Sequence, residues 1–169
     1  MTIADAPPVP AAKGIRRLVI DASVSLKWVI PESHSSEADR LRQAQAAGKL
    51  QLHVPELWIA ETGNALWVRT RRGLPLRLSR AEAARALTEL MAVGLRRHRH
   101  ADLVELALVL ACDAGMTVYD ATYLALAVRE RVPLVTADEK LIDDASAAGH
   151  AEHVVALRDV PAFLESAGA

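Results

Sequence analysis

Short β-branched apolar runs alternate along this chain with longer stretches in which apolar residues return every three or four positions. Leu18, Val19 and Ile20 form the first run, which reads as a strand buried on both faces and stopped by Asp21. Ser23 then opens a short helical pattern through Val24 and Trp28 to Pro31. "SHSSEADRLRQAQAAGKL" reads as an exposed helix ending near Gly48, and "QLHVP" as a second strand closed by Pro55. "ELWIAETGNALWVRTRRG" is a long helix whose end is marked by Gly73 and Pro75. In "SRAEAARALTELMAVG", Ser79 as N-cap, Glu82 three places on and Gly94 as the stop predict a capping-box helix.

"LRRHRH" fits an exposed or edge strand, and "ADLVELALVLACDAG" another capped helix. A short link and helix in "TVYDATYLALAVRERV" follow, then a strand in "PLVTAD", a helix in "EKLIDDASAAG" and a strand in "HVVAL". Strands separated by helices argue for an α/β fold: a three-layer α/β/α sandwich around a central parallel sheet of four to five strands. With no internal repeat or heptad pattern, residues 15–169 are expected to form a single domain. Residues 1–14, "MTIADAPPVPAAKG", have no basic segment leading into an apolar core and are expected to be a flexible tail.

Composition narrows the function classes. A chain of 169 residues, 51% hydrophobic, suffices for one sizeable core. A formal charge of -1 gives no global attraction to nucleic acid, so any such attraction must be local. The single Cys112 excludes an intramolecular disulfide framework and a cysteine-based zinc ribbon; within its apolar pattern it reads as a small buried hydrophobe. "LVELALVLAC" is interrupted by Glu105 and falls short of the roughly 20 residues that span a bilayer. The expectation is a soluble, cytoplasmic protein with no membrane partner.

Chemistry is concentrated in the acids. Ligands of open parallel sheets bind beyond the carboxyl ends of the strands. Asp21 lies at such an end and so does Asp138, just after "PLVTA", while Asp120 opens a strongly apolar helix. Taken singly, each reads first as an N-cap. Glu61 is different: at helical spacing it shares a stripe with Leu57, Trp58, Ala65 and Val68, with Asn64 beside it. If that stripe faces the sheet, Glu61 points toward the strand ends. Several carboxylates in one small site must either protonate or share a cation, and an all-oxygen set favours Mg²⁺ or Mn²⁺ over zinc.

At these residues the sequence resembles the PIN-domain ribonucleases, particularly the VapC toxins of prokaryotic toxin–antitoxin pairs. The matching pieces are "VIDASVSLKWVIPE", "VPELWIAETGNAL", "GMTVYDATYLALA" and "PLVTADEKL", in family order. The resemblance implies that Asp21, Glu61, Asp120 and Asp138 hold Mg²⁺ or Mn²⁺ for hydrolysis of an RNA phosphodiester, with Ser23, Asn64 and Thr136 as supporting residues. It further implies a homodimer and a cognate antitoxin that covers the acidic site. Leu141 stands where the family often has an aromatic residue; Glu139 adjoins the fourth acid, and Asp143 and Asp144 read as a solvated face. Two alternatives stay open: a PIN-fold RNA-processing nuclease without a toxin role, and a non-catalytic module that docks RNA or a partner. A nucleotide-binding Rossmann protein lacks its glycine-rich signature here.

Among the remaining candidates, Arg69, Arg71 and Arg72, followed by Arg77 and Arg80, are potential RNA or antitoxin contacts; the competing reading is a solvated helix end. His98 and His100 would share one face of a strand, with no third metal ligand nearby. Trp28, Trp58 and Trp67 read as core or subunit contacts rather than base-stacking platforms, and Tyr123, one turn after Asp120, as packing, with buttressing of the site as the alternative.

Overall fold

The computed structural model describes residues 15–73 and 76–166. The tail expected over 1–14 and the Pro75 end-mark of the long helix lie outside them. Five strands form one parallel sheet: β1 (Arg16–Ile20), β2 (Leu50–Pro55), β3 (Arg96–His98), β4 (Leu134–Thr136) and β5 (Val154–Ala156), in the order β3-β2-β1-β4-β5. The expected sandwich and strand number are what the chain adopts. β1 is central, with Val19 opposite His53 on one side and Leu134 on the other. Leu18, Val19 and Ile20 are buried, as are all three residues of β4, as a strand covered on both faces requires.

Eight helices cover the sheet among the described residues: α1 (Ala22–Leu26), α2 (Ser35–Ala46), α3 (Leu57–Arg69), α4 (Arg80–Ala92), α5 (Val104–Ala114), α6 (Val118–Glu130), α7 (Glu139–Ala147) and α8 (Val160–Ser166). Right-handed crossovers place α1 to α4 on one face and α5 to α7 on the other. Accordingly α3 packs on α4, α5 on α6, and α6 lies against β1 and β2. Alanines and leucines from Ala121 to Ala127 leave α6 buried nearly all round.

Local signals explain most boundaries. Ser79 and Glu82 form the anticipated capping box, and Gly115 ends α5 in the left-handed conformation that glycine tolerates. The N-terminus of α5 has no side-chain cap, because a 3-10 turn over His100–Asp102 runs directly into it. The first helix is also shorter than its pattern suggested, stopping at Leu26. No sequence signal anticipated α8, which Arg16 anchors through bonds to the carbonyls of Leu164 and Phe163. No described helix is long and apolar enough to cross a membrane.

A buried polar chain runs between the sheet and the end of α6. Gln51 meets His53 Nε2 at 3.1 Å, His53 Nδ1 meets His98 Nε2 at 2.9 Å, and His98 faces Glu130 at 3.8 Å. Glu130 also accepts from Arg17 at 3.1 Å. His98 and His100 do not share a strand face: β3 ends at His98, and the cluster recruits residues distant in sequence instead. Burial, then the neighbouring charge of His98, Arg17 and Arg96, pushes the His53 pKa down to about 3 from 6.5. His98 is lowered mainly by burial, against the opposing pull of Glu130.

A histidine depressed in the fold contributes stability above its unfolded pKa and loses it as pH falls toward the folded one. Stability is therefore expected to decline as pH drops below about 6.5 toward about 3. His53→Gln flattens the upper part of that decline, measured as urea midpoints at neutral and mildly acidic pH.

Candidate metal centre

Asp21 leaves the end of β1 and caps α1, its Oδ1 accepting from the Val24 amide at 3.0 Å. Ser23 Oγ donates to the same oxygen at 2.6 Å and Thr136 Oγ1 to the other at 2.5 Å. Both hydroxyls also accept: Ser23 from the Ala137 amide at 3.0 Å, Thr136 from the Asp138 amide at 2.9 Å. They therefore bind the β1–α1 junction to the β4–α7 junction. Because the sheet runs outward from β1 in one direction and from β4 in the other, this seam is its topological switch point, where such sheets bind ligands.

Asp138, exposed at the same seam, caps α7 by accepting from the Lys140 and Leu141 amides at 2.9 and 3.4 Å. The capping reading thus holds for Asp21 and Asp138 but not for Asp120. Thr117 is the N-cap of α6, and Asp120 sits in its first turn, bonded reciprocally to Thr117 at 2.7 and 3.1 Å. Glu61 is half-buried on α3, whose fully buried stripe is Trp58, Thr62 and Leu66. Its carboxylate accepts a short bond from the Tyr123 hydroxyl of α6. For Tyr123 the expectation favoured plain packing over buttressing the site; it does buttress it, crossing between layers to hold the second acid.

Burial raises the Asp21 pKa although three donors lower it, and Asp138 raises it further. Burial likewise raises Glu61, against the Tyr123 bond and with Asp21 and Asp120 adding repulsion. The four acids therefore form one electrostatically coupled group. Lys140 feels Asp120 and Asp138 but is committed to Asp144. In charge and donor type the group fits a hard divalent cation. As they stand, no three His, Cys, Asp or Glu side chains form a ready-made metal-binding cluster among the described residues. Glu61 is held by Tyr123 and Asp138 by its cap.

Of the supporting residues, Ser23 and Thr136 join the acids; Asn64 is exposed and makes no hydrogen bond to them among the described residues. Glu139 pairs with Arg158 instead of reinforcing Asp138, and Asp144 with Lys140. Leu141 is buried in the core. Arg69 pairs with Glu32, while Arg71 lies over the exposed Trp67 ring at 5.6 Å; Arg72 is exposed. Trp28 and Trp58 are core residues, donating to Ala38 and Ser25 at 2.8 Å each.

Cys112 overturns its expectation: it is exposed. α5 has apolar residues on its outer as well as its inner side: it buries Ala107, Leu110 and Ala111, and Val104, Leu108 and Val109 lie on the surface with the cysteine.

Residues 18–147, which include all four acids, match the model of the PIN domain. Ribonuclease VapC3 of Pyrobaculum aerophilum is 38% identical over 130 residues, covering 75% of this chain and 93% of that protein. Ribonuclease VapC9 of Mycobacterium tuberculosis is 32% identical over 130 residues, 77% of this chain and 92% of the relative. Among solved structures, PAE2754 from Pyrobaculum aerophilum superposes with a TM-score of 0.64 at 25% identity, covering 91% of this chain and 94% of that one. Mycobacterium tuberculosis VapC20, a sarcin–ricin loop cleaving toxin, shares the fold at a TM-score of 0.53 and 21% identity, over 78% and 95% of the two chains.

An acid raised in the fold loses stability as pH rises through its folded pKa. Asp21→Asn removes the desolvated charge and keeps the shape, so it is expected to raise the thermal midpoint of the metal-free protein by a few degrees at neutral pH. The gain shrinks as pH is lowered and the wild-type acid takes up its proton; thermal melts in EDTA across pH check both parts.

Proposed function

The chain belongs to the PIN-domain family, and from that premise we propose that it is a metal-dependent endoribonuclease. It acts as the toxin of a VapBC-type pair and is restrained by a cognate antitoxin in the cytoplasm. The observation that carries the reading is its 38% identity to a VapC ribonuclease across nearly the whole of that relative. The coupled acids at the switch point give the reading a physical basis.

Asp21, Glu61, Asp120 and Asp138 would hold Mg²⁺ or Mn²⁺, which would offset their mutual repulsion and polarise a phosphodiester oxygen. Ser23 and Thr136 fix both oxygens of Asp21, and Tyr123 fixes Glu61. Hydrolysis adds water to phosphorus and breaks a backbone P–O bond; one proton of the water passes to a carboxylate of this group, and the leaving ribose oxygen takes up a proton and departs as a hydroxyl. Arg71 and Arg72, near the end of α3, are suited to RNA phosphates or to an acidic antitoxin segment. Homodimerisation is supported by the apolar surface of α5, where Val104 and Leu108 lie one turn apart. A non-catalytic binding module is favoured only by the lack of a preassembled metal cluster.

Purified protein is expected to cleave RNA when Mg²⁺ or Mn²⁺ is supplied, and its induced expression to arrest growth. Asp21→Asn and Glu61→Gln should each slow cleavage about a hundredfold or more. Tyr123→Phe, one bond further out, should slow it about tenfold to a hundredfold. Mn²⁺ should raise the wild-type thermal midpoint and shift that of Asp21→Asn less. RNA left intact by the wild type, with no thermal shift, would favour the non-catalytic module.

Leu108→Glu places a charge in the α5 face. It is expected to convert a dimer into a monomer, read by light scattering on a sizing column.

A further inference from the structure

Beside the acids lies a cavity of about 520 Å³, in the range that admits a small ligand. Ser23 and Asp138 line it, and so do four charged residues that the hydrolysis leaves unused: Lys27, Glu32, Arg69 and Glu139. Lys27 follows α1, and its side chain is only 10% exposed. The ammonium carries three N–H donors yet has one hydrogen-bond partner among the described residues, Glu32 Oε2 at 3.3 Å. The other oxygen of Glu32 accepts from Arg69, at the end of α3. Within this triad a single carboxylate serves two cations, so the triad itself carries one net positive charge and Lys27 keeps donors unfilled; of the other carboxylates that line the cavity, Glu139 pairs with Arg158 and Asp138 belongs to the acid group. Leu26 and Ile30 give the same cavity an apolar wall.

A backbone phosphate approaching four coupled acids meets repulsion, and a neighbouring cation pair offsets it. We propose that Lys27 and Arg69 hold the phosphate next to the scissile one, and that Glu32 is an internal competitor which occupies both cations until RNA displaces it. The phosphate's oxygens supply the acceptors that Lys27 lacks, through charge-assisted bonds. The apolar wall suits a ribose or base better than the side chains of an acidic peptide. Identifying the ligand as RNA rests on the ribonuclease reading; the unfilled cation pair does not.

The test measures binding of a fluorescein-labelled single-stranded oligoribonucleotide by anisotropy in EDTA, over a range of NaCl. Cleavage of the same RNA by wild type in MnCl₂ is followed in parallel. Lys27→Met and Arg69→Gln are each expected to weaken binding about tenfold. Each should also lower the slope of log affinity against log salt by about 0.7, the signature of one lost phosphate contact on a single strand. Glu32→Gln is expected to bind RNA up to about fivefold tighter, a gain that misfolding cannot produce.

Unaltered slopes in both cation variants, or no gain in Glu32→Gln, would overturn the subsite even if wild type cleaves RNA. So would a wild type that binds no RNA in EDTA, or an oligoglutamate that competes as well as the oligonucleotide. Shifted slopes without cleavage would support the subsite and sink the ribonuclease reading instead.

Discussion

A carboxylate at the end of a buried strand is tolerable only when its lone pairs find donors, and the placement of Asp21 follows from that requirement. Its donors are the Val24 amide and the hydroxyls of Ser23 and Thr136. Each hydrogen bond to a charged group contributes about 1.5–3 kcal/mol, and here the burial still outweighs them, since the net pKa is raised. What the hydroxyls secure is geometry. By donating to Asp21 and accepting from Ala137 and Asp138, they fix two strand ends that are distant in sequence. The fourth acid inherits its position from the first.

The elements were legible because they rest on local causes. Fully apolar strands, the Ser79–Glu82 box and glycine stops need no tertiary context to be read. What escaped depends on the fold. Cys112 and Leu108 sit on a helix with apolar residues on more than one side, so periodicity did not single out the side that faces the sheet. Tyr123 meets Glu61 across 62 positions and Arg69 meets Glu32 across 37, separations at which no spacing rule operates. Asp120 was taken for a cap because its helix begins three residues earlier than that reading required, at Val118 behind Thr117. The four acids themselves were legible from motif order; the way each is held was not.

The fold contains two clusters of ionisable groups with buried members, and their difference separates architecture from chemistry. In one, His53 and His98 are held neutral while Glu130 is matched by Arg17. That cluster closes on itself and needs no ligand. In the other, Asp21 and Glu61 are raised, repelled by Asp138 and Asp120, and the neighbouring Lys140 is turned to Asp144. Charge left uncompensated inside a concave site is a demand for something from outside.

That demand also bears on how the two helical layers communicate. Glu61 belongs to α3, on one face of the sheet; Tyr123 and Asp120 belong to α6, on the other, and α6 packs against α5. The acid group is therefore completed only where the layers meet beyond the strand ends, and its geometry depends on the seating of α6. The exposed apolar side of α5 lies one helix away from that seat. Val104 and Leu108 belong to the helix that packs on α6, the element that carries the third acid and the hydroxyl orienting the second. Association through α5 would thus stiffen the acid group without touching it, since α6, buried nearly all round, has little room to shift independently of α5.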